Sequence, residues 1–248
     1  MIFMNALILC AGYATRLYPL TKEKPKPLLE VKGKTIIDYI VEKIEKIPQV
    51  DQIFVVTNNK FALAFEQWAE EQKFSKKIKI VNDSTISEED KLGAVGDIQF
   101  VVVEQKISGD LLIVAGDNLF EYELDKLFDF FNKKNASVVA CKKFSSKGEL
   151  AQKFGVVELD KDGKVIGFEE KPQNPKTLIG ATGCYIFKKE DLELLKPFLK
   201  EGNSDDSGNF LKYLVEKSSV FGMVFSEKWF DIGSFEALGK AREEFNGK

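Results

Sequence analysis

The sequence predicts an α/β protein: a Rossmann-like three-layer αβα sandwich with a mostly parallel, mixed central sheet and a β-rich insertion in its second half. Three observations carry that expectation. Short continuous apolar runs such as ALILCAG and DLLIVAGD suit strands buried on both faces, as in a parallel sheet. Amphipathic stretches of helical period separate these runs. After residue 135 the alternation gives way to consecutive strand-like segments.

In chain order, ALILCAG is the first strand. TIIDYIVEKIEKI follows, with Ile36, Ile37, Ile40, Val41, Ile44 and Ile47 on one helical face. QIFVVT is a second strand, and NKFALAFEQWAEEQK a helix carrying Phe61, Ala64, Phe65 and Trp68. KIKIV is a third strand. The polar loop NDSTISEEDKLGAVGD leads into a helix near 94–106, and DLLIVAGD is a fourth strand ending in an acid. ELDKLFDFFNKK spaces Leu124, Leu127, Phe128 and Phe131 for a helix. ASVVACKKF, FGVVELD, VIGFEEKP and TLIGATGCYIF then read as strands, the middle two joined by an Asp162-Gly163 turn. Helices around 189–200 and 208–217, the strand VFGMVFS and a loop from Lys228 into a terminal helix complete the chain. No linker or repeat divides it. The expectation is a single domain over 1–248, with halves 1–135 and 136–248.

Composition narrows the chemistry. The 248 residues are 44% hydrophobic and 30% charged, with a net charge of -3, an ordinary globular balance that gives no reason to expect a nucleic-acid polymer as partner. The opening MIFMNALILC lacks a basic flank and is too short in apolar length for a signal peptide or membrane span. The three cysteines stand far apart and read as buried thiols in a reducing cytoplasm. Histidine is absent altogether. That removes the usual zinc sites, Ser-His and Cys-His nucleophile pairs and any imidazole base. Catalysis by this chain falls to carboxylates, lysine, arginine and a metal.

Ligands of open α/β sheets sit at the carboxyl ends of strands, near the point where strand order reverses. The Gly12–Arg16 loop and Asp117 both fall at such ends. The loop is neither GxxxxGK[ST] nor GxGxxG. Its amides from Gly12 to Thr15 can still form an anion nest, with Arg16 adding a bidentate phosphate contact; from AGYATR alone a plain turn is an equal reading. Of 36 basic residues all but Arg16 and Arg242 are lysine, which draws attention to the fork at Arg16. Pro25 and Pro27 frame Lys26 and favour an extended path that aims it, while Lys22 and Lys24 read as solvated. Asp117 in AGDN and Asp231 in WFDIGS each precede a helix and taken singly read as caps. Together they suit Mg²⁺, which takes one or two carboxylates plus phosphate oxygens. Glu170 and Lys171 offer a carboxylate for sugar hydroxyls beside an ammonium for a phosphate.

The ordered set LILCAGYATRLYPLT, KPKPLLEV, GDN, FGVVELD, GFEEKP, TGCYIF and WFDIGS resembles the sugar-1-phosphate nucleotidylyltransferases over nearly the whole chain, in particular the glucose-1-phosphate thymidylyltransferase-like branch. The resemblance implies the reaction of an NTP with a sugar 1-phosphate to give an NDP-sugar and pyrophosphate. By matching positions, Ala11, Gly12, Tyr13, Ala14, Thr15 and Arg16 hold the triphosphate, and Lys26 contacts the reacting phosphates. Asn82 and Gly93 lie on the nucleotide side, Gly93 near the base. Asp117 and Asp231 bind the Mg²⁺ cofactor. Gly155, Glu170, Lys171, Thr182 and Trp229 line the sugar-phosphate side, making the β-rich insertion the sugar-binding part. The favoured substrates are dTTP or UTP with glucose 1-phosphate, and a homo-oligomer is left open.

The chain departs from the resemblance in places. Ala14 replaces a commoner glycine, which implies a backbone angle open to any L-residue, since alanine at positive φ costs about 1 kcal/mol or more. STISEEDKLGAVGD stands where that branch more often has a short GTA- or GLA-like loop, so the base stays open. No left-handed β-helix extension is present, so neither acyltransferase activity nor a particular oligomer is implied. The alternatives are a cytidylyl- or uridylyltransferase acting on another phosphate monoester such as phosphocholine, and a catalytically silent nucleotide-sugar-binding regulator. A glycosyltransferase is a further option, although GDN offers no DxD pair.

Overall fold

The apolar runs become strands of a nine-stranded mixed sheet in the computed structural model, which describes residues 4–202 and 206–247. The first half contains β1 (Met4–Leu9), a small hairpin of β2 (Glu30–Val31) and β3 (Lys34–Thr35), α1 (Ile36–Glu45), β4 (Val50–Thr57), α2 (Ala62–Glu71), β5 (Lys77–Asn82), α3 (Gly93–Glu104), β6 (Leu111–Ala115), β7 (Asn118–Phe120) and α4 (Leu124–Lys134). The second half contains β8 (Ser137–Lys143), α5 (Lys147–Leu150), β9 (Val156–Leu159), β10 (Val165–Glu169), β11 (Ile179–Phe187), α6 (Lys189–Leu192), α7 (Leu195–Lys200), α8 (Ser207–Lys217), β12 (Val220–Phe225), β13 (Trp229–Asp231) and α9 (Phe235–Glu244).

Strands β6, β1, β4 and β5 are parallel neighbours in that order. The chain moves outward from β1 to β4 and β5, then returns to β6 on the other side of β1. This reversal is a switch point, and it opens a crevice between the carboxyl ends of β1 and β6. Helices α1, α2, α4 and α9 cover one face, where Ile37, Ile40, Phe65, Trp68 and Leu127 join a shared core. Helices α3, α7 and α8 cover the other with Val95, Ile98, Phe198 and Phe210. Entry into α1 is set by a capping box: Thr35 Oγ1 accepts from the Asp38 amide at 3.3 Å, and Asp38 Oδ2 accepts from the Thr35 amide at 2.8 Å.

The second half joins the same sheet through β11. Its last residues pair antiparallel with β6, whereas Gly180 pairs with Val156 of β9. Strand β8 runs along its other side. The register shifts between Ala181 and Tyr185, with Gly183 at φ +70. A bulge of this kind bends the strand and re-aims its residues. Here it lets β11 leave β6 for β9, and the sheet forks directly over the end of β6. A Cβ at Gly183 would stand 3.1 Å from both Ala115 Cβ and Asn118 Nδ2.

Several expectations need correcting. ALILCAG is a strand only to Leu9, and 189–200 is two short helices. The segment expected to be loop from Lys228 contains β13, which pairs antiparallel with β7. Asp117 caps nothing: the residue before α4 is Glu123, and α9 is capped by Ser234, whose Oγ accepts from the Ala237 amide at 3.1 Å. Lys26 is not extended. Pro25 is extended at ψ 146, and Lys26 opens a 3-10 turn to Leu28, closed by the Leu28 amide on the Pro25 carbonyl at 3.0 Å.

Ala14 is the clearest reversal. It lies in the left-handed region at φ 51, ψ 40, ahead of a 3-10 turn over Thr15–Leu17. Its carbonyl accepts from Thr21 Oγ1 at 2.7 Å and from the Leu17 amide at 3.0 Å. Two hydrogen bonds, each worth about 1 kcal/mol net, offset the steric cost of the angle.

Three substitutions test these close fits by urea unfolding. Thr21→Val is expected to lose about 1 kcal/mol, while Ala14→Gly is neutral or gains up to about 1 kcal/mol by removing the Cβ conflict. Gly116→Ala would bring a Cβ to 2.5 Å from Cys10 Sγ and 2.7 Å from the Leu9 carbonyl, and is expected to destabilise by about 1–3 kcal/mol.

Candidate active site

Two clefts meet over the switch point. The first, of about 280 Å³, is lined by Ala11, Gly12, Ala14, Lys26, Gly93 and Asp117. The second, of about 140 Å³, is lined by Gly155, Glu170, Lys171, Thr182, Trp229 and Asp231. Gly183 of the bulge and Ser207 at the start of α8 line both.

The centre of the site is made by two strands of three residues. Asn118 of β7 stands opposite Asp231 of β13, and the Ile232 amide donates to the Asp117 carbonyl at 3.0 Å. This pairing brings Asp117 and Asp231 together from opposite halves of the chain. Lys26 Nζ reaches Asp117 Oδ2 at 2.8 Å, with its side chain only 15% exposed. Burial, and then the Asp117 charge, pushes the Asp231 carboxyl up to about 6; Lys26, Arg16 and Lys171 work in the opposite direction. The centre therefore holds two facing acids whose repulsion is only partly answered by its cations.

Among the described residues no group of three or more Cys, Asp or Glu side chains gathers as a metal site. A cation at this centre would rest on Asp117 and Asp231 and take its other ligands from bound oxygens.

In the second cleft Lys171 is held by Asp206, with Nζ at 2.8 and 2.9 Å from the two oxygens, and lies 3.5 Å from Glu170. Burial works against the Lys171 ammonium, but Asp206 and Glu170 outweigh it and raise its pKa. Glu170 is raised by burial first and then by the Asp206 charge. Space here depends on two glycines. A Cβ at Gly208 would land 1.7 Å from Glu170 Oε2, and one at Gly155 would land 2.3 Å from Phe168 Cζ. Among the described residues lining this cleft, two carry buried polar atoms without partners, Asn118 Oδ1 and Trp229 Nε1, one an acceptor and one a donor.

Not every expected residue converges. Asn82 does not line either cleft; its amide donates to Asn59 Oδ1 at 2.9 Å and accepts from the Ser84 amide at 2.8 Å. Tyr13 is buried beside the loop, with its ring turned into the protein. Thr15 and Arg16 are exposed and line neither cleft, although the Arg16 charge still reaches Asp231. The Thr182 hydroxyl donates to the Ala140 carbonyl at 3.0 Å and pairs with Tyr122 OH at 3.1 Å, so its side chain faces away from a ligand. Residues that sequence reasoning missed include Cys10, Asp97, Gly183, Asp206, Ser207 and Gly208. Gly183 lay within TGCYIF and could have been read as a bulge; Ser207 and Gly208 carried no signal before α8 was placed.

A family model described as Nucleotidyl transferase matches residues 5–247. The chain is 33% identical over 232 residues to the bifunctional protein GlmU of Methanocaldococcus jannaschii, covering 93% of this chain and 51% of that protein. It is 27% identical over 265 residues to a glucose-1-phosphate adenylyltransferase of Shewanella frigidimarina, covering 96% of this chain and 63% of that one. It thus spans about half the length of the GlmU proteins it matches. Its fold is similar to that of UDP-glucose pyrophosphorylase complexed with UDP-glucose, with a TM-score of 0.82 at 20% identity over 98% of this chain and 97% of that chain. The chain belongs to the nucleotidyl transferase family.

Proposed function

We propose that the protein transfers a nucleotidyl group from an NTP to a sugar 1-phosphate, giving an NDP-sugar and pyrophosphate. The observation that carries this reading is the Lys26–Asp117–Asp231 centre, placed where the two clefts meet. The first cleft takes the triphosphate and the second the sugar phosphate. In this reading 1–248 works as a single domain, with 1–135 the nucleotide half and 136–248 the sugar-phosphate half. dTTP or UTP with glucose 1-phosphate is the favoured pair, from the branch that the motifs resemble. Three free, buried cysteines fit a cytoplasmic setting. Among the described residues no helix is long and apolar enough to cross a membrane.

The chemistry suits a chain without histidine. A phosphate monoester is largely dianionic at neutral pH, its second pKa being about 6, so no base has to remove a proton. A sugar-phosphate oxygen attacks the α-phosphorus, the bond from that phosphorus to the β-phosphate bridge breaks, and pyrophosphate leaves in line. Alignment and charge neutralisation are what the protein supplies. The Gly12–Thr15 loop and Arg16 hold the triphosphate at the mouth, and Lys26 meets the charge on the reacting phosphate. Lys171 exchanges Asp206 for the sugar phosphate and brings the two anions together. Asn118 Oδ1 and Trp229 Nε1 would pair with sugar hydroxyls. Asp117 and Asp231 would hold Mg²⁺, and the fit is electrostatic: burial and the Asp117 charge keep the Asp231 carboxyl raised despite Lys26, Arg16 and Lys171, a strain that a further cation would relieve. When bound, Mg²⁺ supplies neutralisation of phosphate charge.

One observation favours a second reading. Phe154 and Trp229 pack edge to face at 5.1 Å and both line the second cleft, a setting in which aromatic faces can meet the quaternary ammonium of phosphocholine.

Pyrophosphate release across dTTP, UTP, CTP, GTP and ATP, against several sugar 1-phosphates and phosphocholine, tests the reading directly. Release with a sugar 1-phosphate is expected, together with loss of activity on chelation; release with no pair tried would sink it. Lys26→Ala or Asp117→Ala is expected to lower turnover by at least about a hundredfold, as for loss of a preorganised charge-stabilising group. Near-normal release by either variant removes that residue from the centre. Lys171→Ala is expected to raise KM for the sugar phosphate while leaving KM for the NTP within about twofold, since uniform binding is lost on one side only.

A further inference from the structure

Two buried acids outside the reaction centre are unused by the mechanism above. Asp97 lies in the opening turns of α3 and lines the first cleft with Gly93 and Ala94. Asp83 follows the last residue of β5. Asp97 is 5% exposed and Asp83 6%. Asp83 is firmly placed: its amide donates to the Thr57 carbonyl at 2.8 Å, and its Oδ1 accepts from the Thr85 amide at 2.7 Å and from Thr85 Oγ1 at 2.8 Å. Its Oδ2 has no partner, and neither does Asp97 Oδ1. The two carboxyls lie within hydrogen-bonding reach of one another. Two ionised carboxylates cannot bond, and buried together they repel strongly; with one proton between them, an O–H on one donates to an oxygen on the other.

We propose that Asp83 and Asp97 share a single proton, and that this carboxyl pair is a positioning device tying α3 to the end of β5 so that the wall of the nucleotide cleft keeps its shape. The positioning role rests on the reading that the first cleft holds the NTP. Neither residue is required to touch the nucleotide. The pair carries one negative charge while the proton is present and two after it leaves.

The surroundings favour the protonated pair. Burial, and then the Asp83 charge, pushes the Asp97 carboxyl up to about 8. From the loop after β1, the buried Cys10 thiol is raised by burial, then by Asp117 and Asp97. Tyr13 is raised chiefly by burial, with Asp90, Asp83 and Glu88 adding to the effect. Helices α7 and α8, on the other side of α3, contribute Leu195, Phe198, Phe210 and Leu214 to the shared core. The cations lining the cleft among the described residues are Lys26 and Lys91. Lys26 is paired with Asp117.

The sign of the pH effect follows. Below about pH 8 the proton stays, the wall is held and nucleotide binds. Above it both carboxylates are charged, and α3 is pushed from β5. Stability moves the same way: the folded protein keeps a proton that the unfolded chain has lost, so stability falls as pH rises from about 4 to about 8 and then levels.

The test is titration calorimetry of Mg²⁺–UTP and Mg²⁺–dTTP on the full chain from about pH 6 to about pH 9, with Asp97→Asn and Asp97→Ala beside wild type. If only the protonated form binds, wild-type affinity falls about tenfold one unit above the pKa. Asp97→Asn, whose amide can donate to Asp83 at every pH, is expected to show a flat profile, and Asp97→Ala weak binding throughout. Thermal melts of Asp97→Asn are expected to gain on wild type between about pH 4 and about pH 8, with no further gain beyond. Parallel pH profiles for wild type and Asp97→Asn, or an Asn variant as weak as the Ala variant, would overturn the proposal. Infrared spectra separate it from the functional reading. A protonated-carboxyl band in wild type, lost in Asp97→Asn, reports the shared proton without nucleotide. If that band is missing while nucleotide binds, the pair is refuted; if the band is present while none of UTP, dTTP, CTP, GTP and ATP binds, the nucleotide reading of the cleft is refuted and the positioning role with it.

Discussion

The site depends on the pairing of β7 with β13. Each strand has only three residues, and their register sets Asn118 opposite Asp231 and ties Ile232 to Asp117. Without it Asp117 would end a parallel strand and Asp231 would lie in a surface connection, too far apart to act on one ligand. A backbone ladder is well suited to the task. It locates two carboxylates by hydrogen bonds between amides, which their charge does not disturb, and so it withstands the repulsion that raises Asp231. The flanking aromatics support it: Phe120 stacks on Tyr122 with centroids 4.3 Å apart, and Phe230 meets Phe245 edge to face at 6.3 Å.

Around this pair the fold places two openings by two separate devices. The switch point between β1 and β6 makes the first, an outcome of strand order alone. The second requires the β11 bulge, because only a strand that leaves β6 for β9 exposes a floor between them. Both openings demand close backbone approach, which explains glycine at 116, 155 and 208. Side-chain bulk would meet buried Cys10 at 116, buried Phe168 at 155 and Glu170 at 208, so the same close contacts shape the site and pack the core behind it.

Charge is arranged so that the resting site is internally paired. Lys26 rests on Asp117 and Lys171 on Asp206, contacts that anionic ligands would replace. The Lys171 pair is roughly two-fifths exposed on both sides, so solvent screens it and its exchange for a phosphate costs little. Lys26 is more enclosed, and its partner stays close enough to orient it. Of the orphaned polar atoms, those of Asn118 and Trp229 belong to residues of the second cleft and that of Asp97 to a residue of the first, with Asp83 beside Asp97. Buried groups without partners are costly, and their gathering here is consistent with a surface built to be completed by a ligand or a proton.

Much of this was legible in the residues. Continuous apolar runs and helical periodicity determined the layered α/β fold, because burial on two faces or one leaves a direct trace in composition. The proline-framed Lys26, the acids at 117 and 231 and the Glu170-Lys171 pair stood out as local signals. Local rules also misled. Ala14 was expected to avoid positive φ, yet Thr21 and Leu17 hold its carbonyl there. Asn82 was placed on the nucleotide side, yet its amide is committed to Asn59 and Ser84. By itself, the sequence determined which segments form the sheet and which charged residues were available at its carboxyl end. Only the tertiary structure decided which of them meet, because a three-residue strand, a bulge and a carboxyl–carboxyl contact are pairings between distant segments that leave no periodic trace in either one.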